Sequence, residues 1–452
     1  MIEKTSILAL FFFIISFGNF NYNPGDNQPS LQLIRGPYLQ SGTTSSIIIK
    51  WRTNIPADSR VIYGVDPENL EMTVFSSEKT TEHEVFIEGL TANTKYYYNI
   101  GDNESVFINS DPSYYFKTSP EPGHDEVIRI WAIGDFGSGD EEAAGVREGY
   151  MKYRRGKHTD IWLTLGDMAY FFGRDKEFQI GLFDGVYRNM ICNTVIWPTP
   201  GNHDMRHSDS QIQTGPYYDI FSVPTGGEAG GEPSGTQAYY SFNYGDIHFI
   251  SLDSEDTPRD KHGEMANWLR RDLKNDNHKW KIAFFHHPPF TKGTHDSDMD
   301  LDSNGRMKDM RENFLPILEK YGVDLVLGGH SHIYERSYLL HGHYGYSIDF
   351  NPKSMIIWNN KGKKNKDRKI DDNSFFKESN NLGTVYVVCG VSGSRPSAGT
   401  CDHPAMAVCW SWSRGSVAID VRGNILLAVF VDQDGRVKDS FTITKEFQEI
   451  MN

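Results

Sequence analysis

Five apolar stretches of this sequence each run into side chains that bind metal ions or transfer protons. The side chains, in chain order, are Asp135, Asp167, Tyr170, Asn202, His203, His286, His330 and His332. Each apolar stretch predicts a buried strand, and the carboxyl ends of parallel strands meet at one edge of an α/β sheet. The spacing therefore predicts that distant parts of the chain deliver these residues to a single site.

Each group has an ordinary structural explanation when it is taken alone. Gly-Asp and Gly-Asn pairs are common in turns, and a histidine after a strand is often a surface residue. The series of five groups argues against that explanation, since carboxylate and imidazole donors without thiolate suit Fe, Mn or Zn, alone or mixed in a two-metal centre. Asp167 has two carboxylate oxygens, so we expect it to bridge two ions.

The four cysteines, Cys192, Cys389, Cys401 and Cys409, form no Cys-x-x-Cys pair of the zinc type. We therefore expect them to lie outside the metal site. The last three are close together in sequence, which favours a disulfide among them in an oxidising compartment, with the pairing left open.

The net charge of −15 over 452 residues argues against nucleic acid as an obligate partner, because that binding depends on clustered Lys and Arg. The one basic run, residues 361–369, contains Asn365 and Asp367 and no aromatic residue, so we interpret it as a solvated loop. A small anionic substrate would need local positive charge, which metal ions could supply. The sequence does not indicate an oligomeric state.

Residues 1–28 have the pattern of a secretory signal peptide. Lys4 precedes an apolar run, residues 7–17, that is too short to cross a bilayer comfortably. No other stretch of the sequence is long or apolar enough to span a membrane, so we expect no stable membrane insertion. The expected location is secreted or periplasmic.

Residues 29–120 alternate in polarity like short strands of a β-sandwich. The predicted strands are residues 46–51, 59–63, 83–87, 95–100 and 114–117. Residues 89–98 resemble the tyrosine-corner strand of fibronectin type III domains, and Trp51 stands where their core tryptophan lies. We expect an all-β supporting domain, joined to the rest of the chain by the short linker at residues 119–123.

Residues 121–452 alternate apolar strands with helical stretches, which indicates an α/β domain. The predicted strands are residues 127–133, 161–165, 194–198, 247–252, 280–285 and 323–327, with closing strands at 383–391, 415–421 and 424–431 and a hairpin turn at 432–435. The predicted helices are residues 141–153, 263–273 and 307–321, and Pro316 should end or bend the last one. We interpret most of residues 351–381, rich in Lys, Asn and Asp, as a mobile surface insertion.

Five blocks of the sequence together resemble those of purple acid phosphatases within the metallophosphoesterase superfamily. The blocks are residues 134–137 (GDFG), 166–170 (GDMAY), 201–204 (GNHD), 285–288 (FHHP) and 329–336 (GHSHIYER). Residues 239–254 also resemble the family's core-strand segment, and the N-terminal domain is similar to that of plant-type members. The resemblance implies an α/β fold in which two mixed sheets form a β-sandwich flanked by helices, preceded by an all-β fibronectin III-like domain.

The resemblance also implies an acid phosphatase that hydrolyses small phosphomonoesters with a binuclear metal centre. Fe(III) would be held by Asp135, Asp167, Tyr170 and His332, and a divalent ion, Fe(II), Zn(II) or Mn(II), by Asp167, Asn202, His286 and His330. Metal-bound hydroxide would attack phosphorus. His203 and His295 match the positions that contact phosphate and protonate the leaving oxygen in the family, although some plant members carry a second histidine where this chain has Asp296.

Further expectations concern polar residues beside these blocks. We expect His287 to lie outside the ligand set, Asp204 to orient His203, and Glu335 to pair with Arg336.

The run Asp296, Asp298, Asp300 and Asp302 partly matches a calcium-binding loop. Residues 300–305 fit its first half, but Arg311 stands in the place of the terminal glutamate. We interpret the run as a solvated acidic loop at the rim of the site.

Two other functions fit the same residues. A phosphodiesterase or nucleotide-cleaving enzyme would keep the metals, because rim loops decide substrate choice, and residues 205–236 and 291–306 form those loops here. An inactive binding or adhesion protein would make its contacts through the fibronectin-like domain, although all seven expected ligand positions hold competent residues.

Overall fold

The computed structural model describes residues 30–108, 111–358, 373–378, 381–397 and 399–446. The predicted signal peptide, residues 1–28, and the basic run, residues 361–369, lie outside these ranges. Within them, no helix has both the length and the apolar character needed to cross a bilayer.

The first part of the described chain is an antiparallel five-stranded sheet. Its strands are β1 (Leu33–Gln40), β2 (Ser46–Gly64), β3 (Met72–Glu88), β4 (Lys95–Gly101) and β5 (Tyr115–Lys117), in the order β1-β2-β4-β5 with β3 also paired to β2. The predicted strands at 46–51 and 59–63 are one strand, β2. The Tyr96 hydroxyl accepts a hydrogen bond of 3.0 Å from the Thr91 N–H, which is the tyrosine corner that the sequence predicts.

The rest of the chain forms two seven-stranded mixed sheets. The strands of the first sheet are β9 (Tyr240–Tyr244), β10 (Ile247–Ser251), β11 (Trp280–Phe284), β12 (Leu325–Gly328), β13 (Tyr334–Ser337), β15 (Val385–Cys389) and β16 (Met406–Trp410). Those of the second are β6 (Ile128–Ile133), β7 (Ile161–Thr164), β8 (Val195–Pro198), β14 (Ser374–Lys377), β17 (Gly415–Arg422), β18 (Ile425–Asp432) and β19 (Val437–Lys445).

The order of strands places the functional strand ends side by side. The first sheet has the order β16-β13-β15-β12-β11-β10-β9, and the second has the order β14-β19-β18-β17-β6-β7-β8. Strands β10, β11, β12 and β15 are parallel neighbours, and so are β6, β7 and β8. Each parallel group therefore points its carboxyl ends in one direction.

Helices cover the outer faces of the two sheets. They are α1 (Glu141–Arg154), α2 (Asp175–Phe178), α3 (Arg188–Ile191), α4 (Pro216–Ile220), α5 (Glu264–Asn275), α6 (Arg306–Asp309), α7 (Leu315–Lys320) and α8 (Pro352–Met355). Alternate strand residues face opposite ways: Ile130 and Phe249 join a core shared by both sheets. Their neighbours face outwards, where Trp131 stacks on Tyr150 of α1 and Ile250 packs in a cluster with α5. This is the predicted β-sandwich flanked by helices.

The predicted helix at 307–321 is interrupted. It consists of α6, a π-helical turn (Met310–Phe314) and α7, with Pro316 in the first turn of α7. Proline fits there because the first-turn N–H groups have no partner within the helix.

The prediction that most of residues 351–381 form a mobile insertion falls partly on residues 359–372 and 379–380, which lie outside the described residues. The described parts of this segment contain regular elements. Helix α8 lies within them, and β14 pairs in parallel with β19. Lys377 is fully buried, with its Nζ 2.6 Å from Asp324 Oδ1. The polar composition of the segment gave no sign of strand β14, in which the buried charge of Lys377 is neutralised by Asp324, distant in sequence.

The disulfide joins Cys401 and Cys409, while Cys192 and Cys389 are buried free thiols. The sequence had left the pairing open among the last three.

The N-terminal sheet packs against the sandwich through polar contacts. Arg35 and Arg52 both bind Asp175, the first residue of α2, with N–O distances of 2.9 and 2.7 Å. The Tyr98 hydroxyl donates a 2.7 Å hydrogen bond to the Cys192 carbonyl. Ser119, in the predicted linker, is buried. The two parts are therefore held together at several points.

Candidate metal centre

The strand ends bring the seven predicted ligands together at one edge of the sandwich. Polar atoms of neighbouring members lie between 3.0 and 3.5 Å apart. They form two groups that share one residue, Asp167.

The first group has a phenol at its centre. The Tyr170 hydroxyl lies 3.2 Å from Asp167 Oδ2 and 3.4 Å from Asp135 Oδ1. His332 Nε2 lies 3.4 Å from the same Asp135 oxygen. Two carboxylates, a phenol and one imidazole therefore converge, and these are hard donors apart from the imidazole.

The second group is built from nitrogen and amide donors. His286 Nε2 and His330 Nδ1 each lie 3.0 Å from Asn202 Oδ1. Asp167 Oδ1 lies 3.5 Å from His286 Nε2, while its other oxygen faces Tyr170 in the first group. The two oxygens of Asp167 thus face different groups, as a bridging ligand requires.

Hydrogen bonds outside the second group leave ring nitrogens free to bind a cation. His286 Nδ1 lies 2.8 Å from the Leu165 carbonyl and must donate to it, so the Nε2 lone pair of the neutral ring points at the group. Ser303 donates its hydroxyl proton to Asp302 Oδ1 at 2.9 Å and so accepts from His330 Nε2 at 2.6 Å. His330 Nδ1 is therefore also unprotonated. Two lone pairs and an amide oxygen that face one another fit a metal ion.

Strained backbone supports the same edge. Asp135, Asp167 and His330 have φ angles of 56°, 56° and 65°, a left-handed conformation that is costly for residues with a Cβ. Gly166, just before Asp167, also has a positive φ, and a Cβ there would lie 2.5 Å from His286 Nδ1. Strain of this kind clusters at functional sites, although residues away from this edge, such as Asn93 and Arg155, also have positive φ angles.

The charges of the centre shift the pKa values of its members. Burial raises the pKa of Tyr170 well above its ordinary value, and the carboxylates of Asp167 and Asp135 raise it further. Burial lowers the pKa of His286, but Asp167 and Asp135 outweigh burial and leave that pKa raised. Burial and the neighbouring histidines hold the pKa of His330 well below its usual range. The protein alone therefore keeps Tyr170 protonated, and a phenolate ligand requires a cation.

The two predicted catalytic histidines lie on opposite flanks of the centre. His203 packs against the Tyr170 ring at 4.6 Å, and its Nε2 lies 3.9 Å from Asp167 Oδ2. His295 stacks on His330 at 3.9 Å, and its Nδ1 donates to Asp302 Oδ1 at 2.8 Å. Both rings are partly exposed, so a substrate at the centre could reach them.

Asp204 does not orient the His203 ring as expected. Its carboxylate accepts hydrogen bonds of 2.8 to 3.0 Å from the N–H groups of Asp167, Met168, Ala169 and Gly201. His203 Nδ1 instead lies 2.9 Å from the Phe171 carbonyl. Asp204 therefore holds the backbone of the Asp167 loop. Burial and the neighbouring Asp167 carboxylate raise the pKa of Asp204 well above its ordinary value, and the N–H donors only partly offset them.

The acidic run at residues 296–302 lies beside the site, as predicted, with partly exposed carboxylates that are paired with protein groups. Asp296 and Asp298 pair with Lys292 at 2.6 and 3.0 Å, and Asp300 pairs with Lys308 at 3.1 Å. Asp302 bonds His295 at the site itself. The carboxylates have protein partners, because the loop folds back on Lys292 and Lys308, which flank the acidic run in the sequence.

Sequence reasoning missed the roles of Asp302 and Ser303. The turn-forming run Asp302-Ser303-Asn304-Gly305 is the signal in the sequence that points to a tight turn at this place. Ser303 and Asn304 adopt φ angles of 51° and 54°, which turns this segment towards His330.

Three neighbouring residues complete the surroundings. His287 is buried, its ring lies 4.3 Å from the His330 ring at a tilt of 51°, and its Nδ1 bonds Ser254. One of its ring nitrogens nevertheless lies within 4.8 Å of donor atoms of His286 and His330, so His287 borders the second group. Glu335 and Arg336 do not serve as the expected pair, because successive strand residues face opposite sides. Glu335 accepts from the Thr291 hydroxyl at 2.5 Å, and Arg336 pairs with Asp439 at 2.6 Å.

Two family models match the chain. Residues 128–334 match the calcineurin-like phosphoesterases, and residues 35–118 match the N-terminal domain of purple acid phosphatases. The first range contains all seven predicted ligands, and the second coincides with the N-terminal sheet.

Curated relatives and solved structures agree with the models. The chain is 26% identical over 401 residues to probable inactive purple acid phosphatase 1 of Arabidopsis thaliana, covering 82% of this chain and 58% of the relative. It is 28% identical over 316 residues to phosphoenolpyruvate phosphatase of Allium cepa, covering 65% and 60%. The chain thus spans about three fifths of the length of these relatives.

The fold is that of a purple acid phosphatase from yellow lupin (Lupinus luteus) seeds. The two structures superpose with a TM-score of 0.70 at 19% identity, covering 92% of this chain and 75% of the other. At that identity the likeness concerns the fold, in which both sheets and the N-terminal strands take part.

Proposed function

Because this chain belongs to the purple acid phosphatase family, we propose that it hydrolyses phosphomonoesters with a binuclear Fe(III)–M(II) centre, M being Fe, Zn or Mn. The observation that carries the proposal is the pair of donor groups sharing Asp167. Metal-dependent phosphoester hydrolysis is the chemistry that the family and the fold support.

The proposed ligands divide by donor chemistry. Asp135, Tyr170 and His332 would hold Fe(III) with Asp167, since a phenolate and carboxylates suit a trivalent ion. Asn202, His286 and His330 would hold the divalent ion, again with Asp167. When bound, the two ions supply an acidified water as nucleophile and positive charge against the phosphate.

The protein's own side chains supply binding and proton transfer. His203 Nε2 faces the centre while its Nδ1 is held by the Phe171 carbonyl, so the ring is fixed to contact a phosphate oxygen. His295 is fixed through Nδ1 by Asp302, which leaves Nε2 as the atom that would donate a proton to the leaving oxygen. A charged imidazole suits that step in weakly acidic solution.

Activity needs its own test, since one relative is named probable inactive and another phosphoenolpyruvate phosphatase. The present chain holds a competent donor at each of the seven predicted positions, which favours an active enzyme over a binding protein. The chain would then resemble the onion relative in acting on a phosphate ester.

The test compares 4-nitrophenyl phosphate with bis(4-nitrophenyl) phosphate for the wild type and Asp167→Asn. We expect turnover of the monoester in excess of the diester and its loss in Asp167→Asn. A strong preference for the diester would favour the phosphodiesterase alternative. Unchanged metal content and activity in Asp167→Asn would rule out the metal assignment.

The proposal that Tyr170 binds Fe(III) is tested by metal analysis together with a visible spectrum of the protein. We expect iron together with a charge-transfer band from Tyr170 to Fe(III), and loss of the band in Tyr170→Phe. An active, iron-free protein without the band would refute the Fe(III) assignment and leave the phosphatase proposal standing.

We also propose that the protein is secreted or periplasmic. The apolar run at residues 7–17 and the Cys401–Cys409 disulfide support this, because disulfides persist in oxidising compartments. Fractionation of cells that produce the full chain should recover it outside the cytoplasm with residues 1–28 removed. Recovery of an uncleaved cytoplasmic chain would contradict the proposal.

A further inference from the structure

A cavity of about 1000 Å³ opens where β10 and β11 begin, at the far end of the first sheet from the metal centre. His278 precedes β11 in the chain and His286 follows it. Eight residues of extended chain span roughly 25 Å, so the cavity and the centre are separate sites.

Three side chains with metal-binding atoms meet at this cavity. They are His248 on β10 and Asp276 and His278 in the loop after α5, and one donor atom of each lies within 4.8 Å of the others. Asp276 Oδ1 lies 2.6 Å from His278 Nδ1 and 3.7 Å from His248 Nδ1. Asn243 Oδ1, on β9, lies 2.6 Å from His248 Nδ1 and adds a fourth donor.

A carboxylate behind the cluster orients one of its rings. His248 Nε2 lies 2.8 Å from Asp272 Oδ2. The other Asp272 oxygen accepts from the Ser241 hydroxyl at 2.6 Å and the Glu232 N–H at 2.9 Å, which holds the carboxylate in place. A carboxylate that accepts from one imidazole nitrogen directs the other nitrogen towards a metal, as in many protein metal sites.

Charge and burial favour a cation at the cluster. Six carboxylate side chains line the cavity against two lysines. The His248 and Asp276 side chains are only 1% and 4% exposed, while His278, at 20%, borders the opening. Lys281 Nζ lies 3.0 Å from Asp276 Oδ2, which partly neutralises that carboxylate but leaves Oδ1 facing the two histidines.

We propose that His248, Asp276 and His278 bind a divalent transition-metal ion of the zinc class, separate from the metal centre. Two imidazoles and a carboxylate without thiolate suit Zn²⁺, and Asn243 or water would complete four-coordination. The ion would tie the loop between α5 and β11 to β10. Its position at the amino ends of β10 and β11, opposite the metal centre, makes it structural rather than part of the hydrolytic reaction.

The competing explanation is a network of ion pairs without metal. A doubly protonated His248 between Asp272 and Asp276 would account for the same distances. The two explanations differ in the number of metal ions that the folded protein retains.

The test counts zinc in the wild type, His278→Ala and His262→Ala, each saturated with Zn²⁺ and freed of unbound metal by gel filtration. His262 is an exposed histidine outside the cavity lining and is the matched control. We expect His278→Ala to retain about one ion fewer per chain than the other two proteins, with phosphatase activity unchanged. An equal number of zinc ions per chain in all three proteins would overturn the proposal in favour of the ion-pair network.

A second variant controls for the possibility that His278→Ala loses metal because it folds incorrectly. His278→Gln keeps a polar side chain of similar length at a partly exposed position, and we expect the same shortfall of one ion. Added Zn²⁺ should also raise the Tm of metal-centre-saturated wild type and His262→Ala more than that of His278→Gln, because only the first two have a site left to fill. An equal rise in all three would contradict a zinc site at His278.

Discussion

Ser303 determines which nitrogen of His330 faces the metal centre. Its hydroxyl accepts a hydrogen bond from His330 Nε2 and donates one to Asp302. Asp302 also accepts a hydrogen bond from His295. One short turn therefore orients a proposed metal ligand and the proposed proton donor together.

Ser303→Gly should weaken binding of the divalent ion by about 10- to 100-fold, the usual effect of losing a hydrogen bond behind a metal-binding histidine. Glycine accepts the φ of 51° at this position, so the change removes the hydroxyl without adding strain. Competition with a chelator gives the affinity. Asn304→Gly is the matched control, because Asn304 has a φ of 54° and should leave the affinity unchanged. Equal affinity in both variants would contradict the role of Ser303.

We expect Glu335 to make the protein more stable in weak acid than near neutrality. Burial raises the pKa of this carboxyl from 4.5 to about 7. Since the folded pKa exceeds the unfolded value, the folded state binds the proton more tightly. The stabilisation is complete below about pH 4.5 and is lost as the pH rises through 7.

Glu335→Gln should abolish that dependence, because glutamine has the shape of the protonated acid and does not titrate. Between pH 4.5 and 7, the free energy of unfolding of the wild type should fall by up to about 3 kcal/mol relative to the variant, by linkage to the raised pKa. Urea denaturation at several pH values measures the difference. Parallel pH profiles for the two proteins would show that Glu335 titrates normally.

The sequence identified the proposed ligands but not the residues that orient them. Asp135, Asp167 and His330 follow apolar strands, and that pattern is visible in the order of residues. The contacts of Ser303 and Glu335 depend on how loops fold back across the sheet, which no local pattern encodes.

At the scale of elements, strands that are mainly apolar were predictable, even where they contain one charged residue, whereas the short polar strand β13 was not. The predicted ranges at 161–165, 247–252 and 280–285 agree with β7, β10 and β11 to within one residue. Strand β13 was missed because its sequence is Tyr-Glu-Arg-Ser, although all four residues are buried. Its charged residues are tolerated because each has a partner on another element.

Helix α2 secures the N-terminal sheet through one carboxylate. The Asp175 carboxylate forms ion pairs with both Arg35 and Arg52. Because Arg35 is buried, removing the carboxylate leaves a buried cation without its main partner. Asp175→Ala should lower the free energy of unfolding by about 1–3 kcal/mol, less than for a fully buried pair because Asp175 is 43% exposed.

Asp125→Ala is the matched control for Asp175→Ala. It breaks an ion pair with Arg422 in which both side chains are largely exposed, and such pairs contribute little. Chemical denaturation should show a loss in Asp175→Ala and almost none in Asp125→Ala. Similar losses in both would show that the Asp175 contacts do not hold the two parts together.

At the scale of the whole molecule, the two ends of the sandwich have different proposed roles, hydrolysis at one and structural metal binding at the other. The carboxyl ends of the parallel strands carry the metal centre, and the opposite end carries the cavity with His248 and His278. The sequence predicted the first end because its residues form a series after strands. It missed the second end, because His248 lies thirty residues from His278 and nothing in the spacing links them.

Two metal ions at the Asp167 edge would make the protein a phosphatase. The most direct test is to remove metal from the His278→Gln variant, which lacks the second proposed site, and to titrate metal back while measuring hydrolysis of 4-nitrophenyl phosphate. We expect no activity without metal and a rise in activity that levels off at two ions per chain. Activity that persists in the metal-free protein, or that never appears at any metal content, would contradict this proposal.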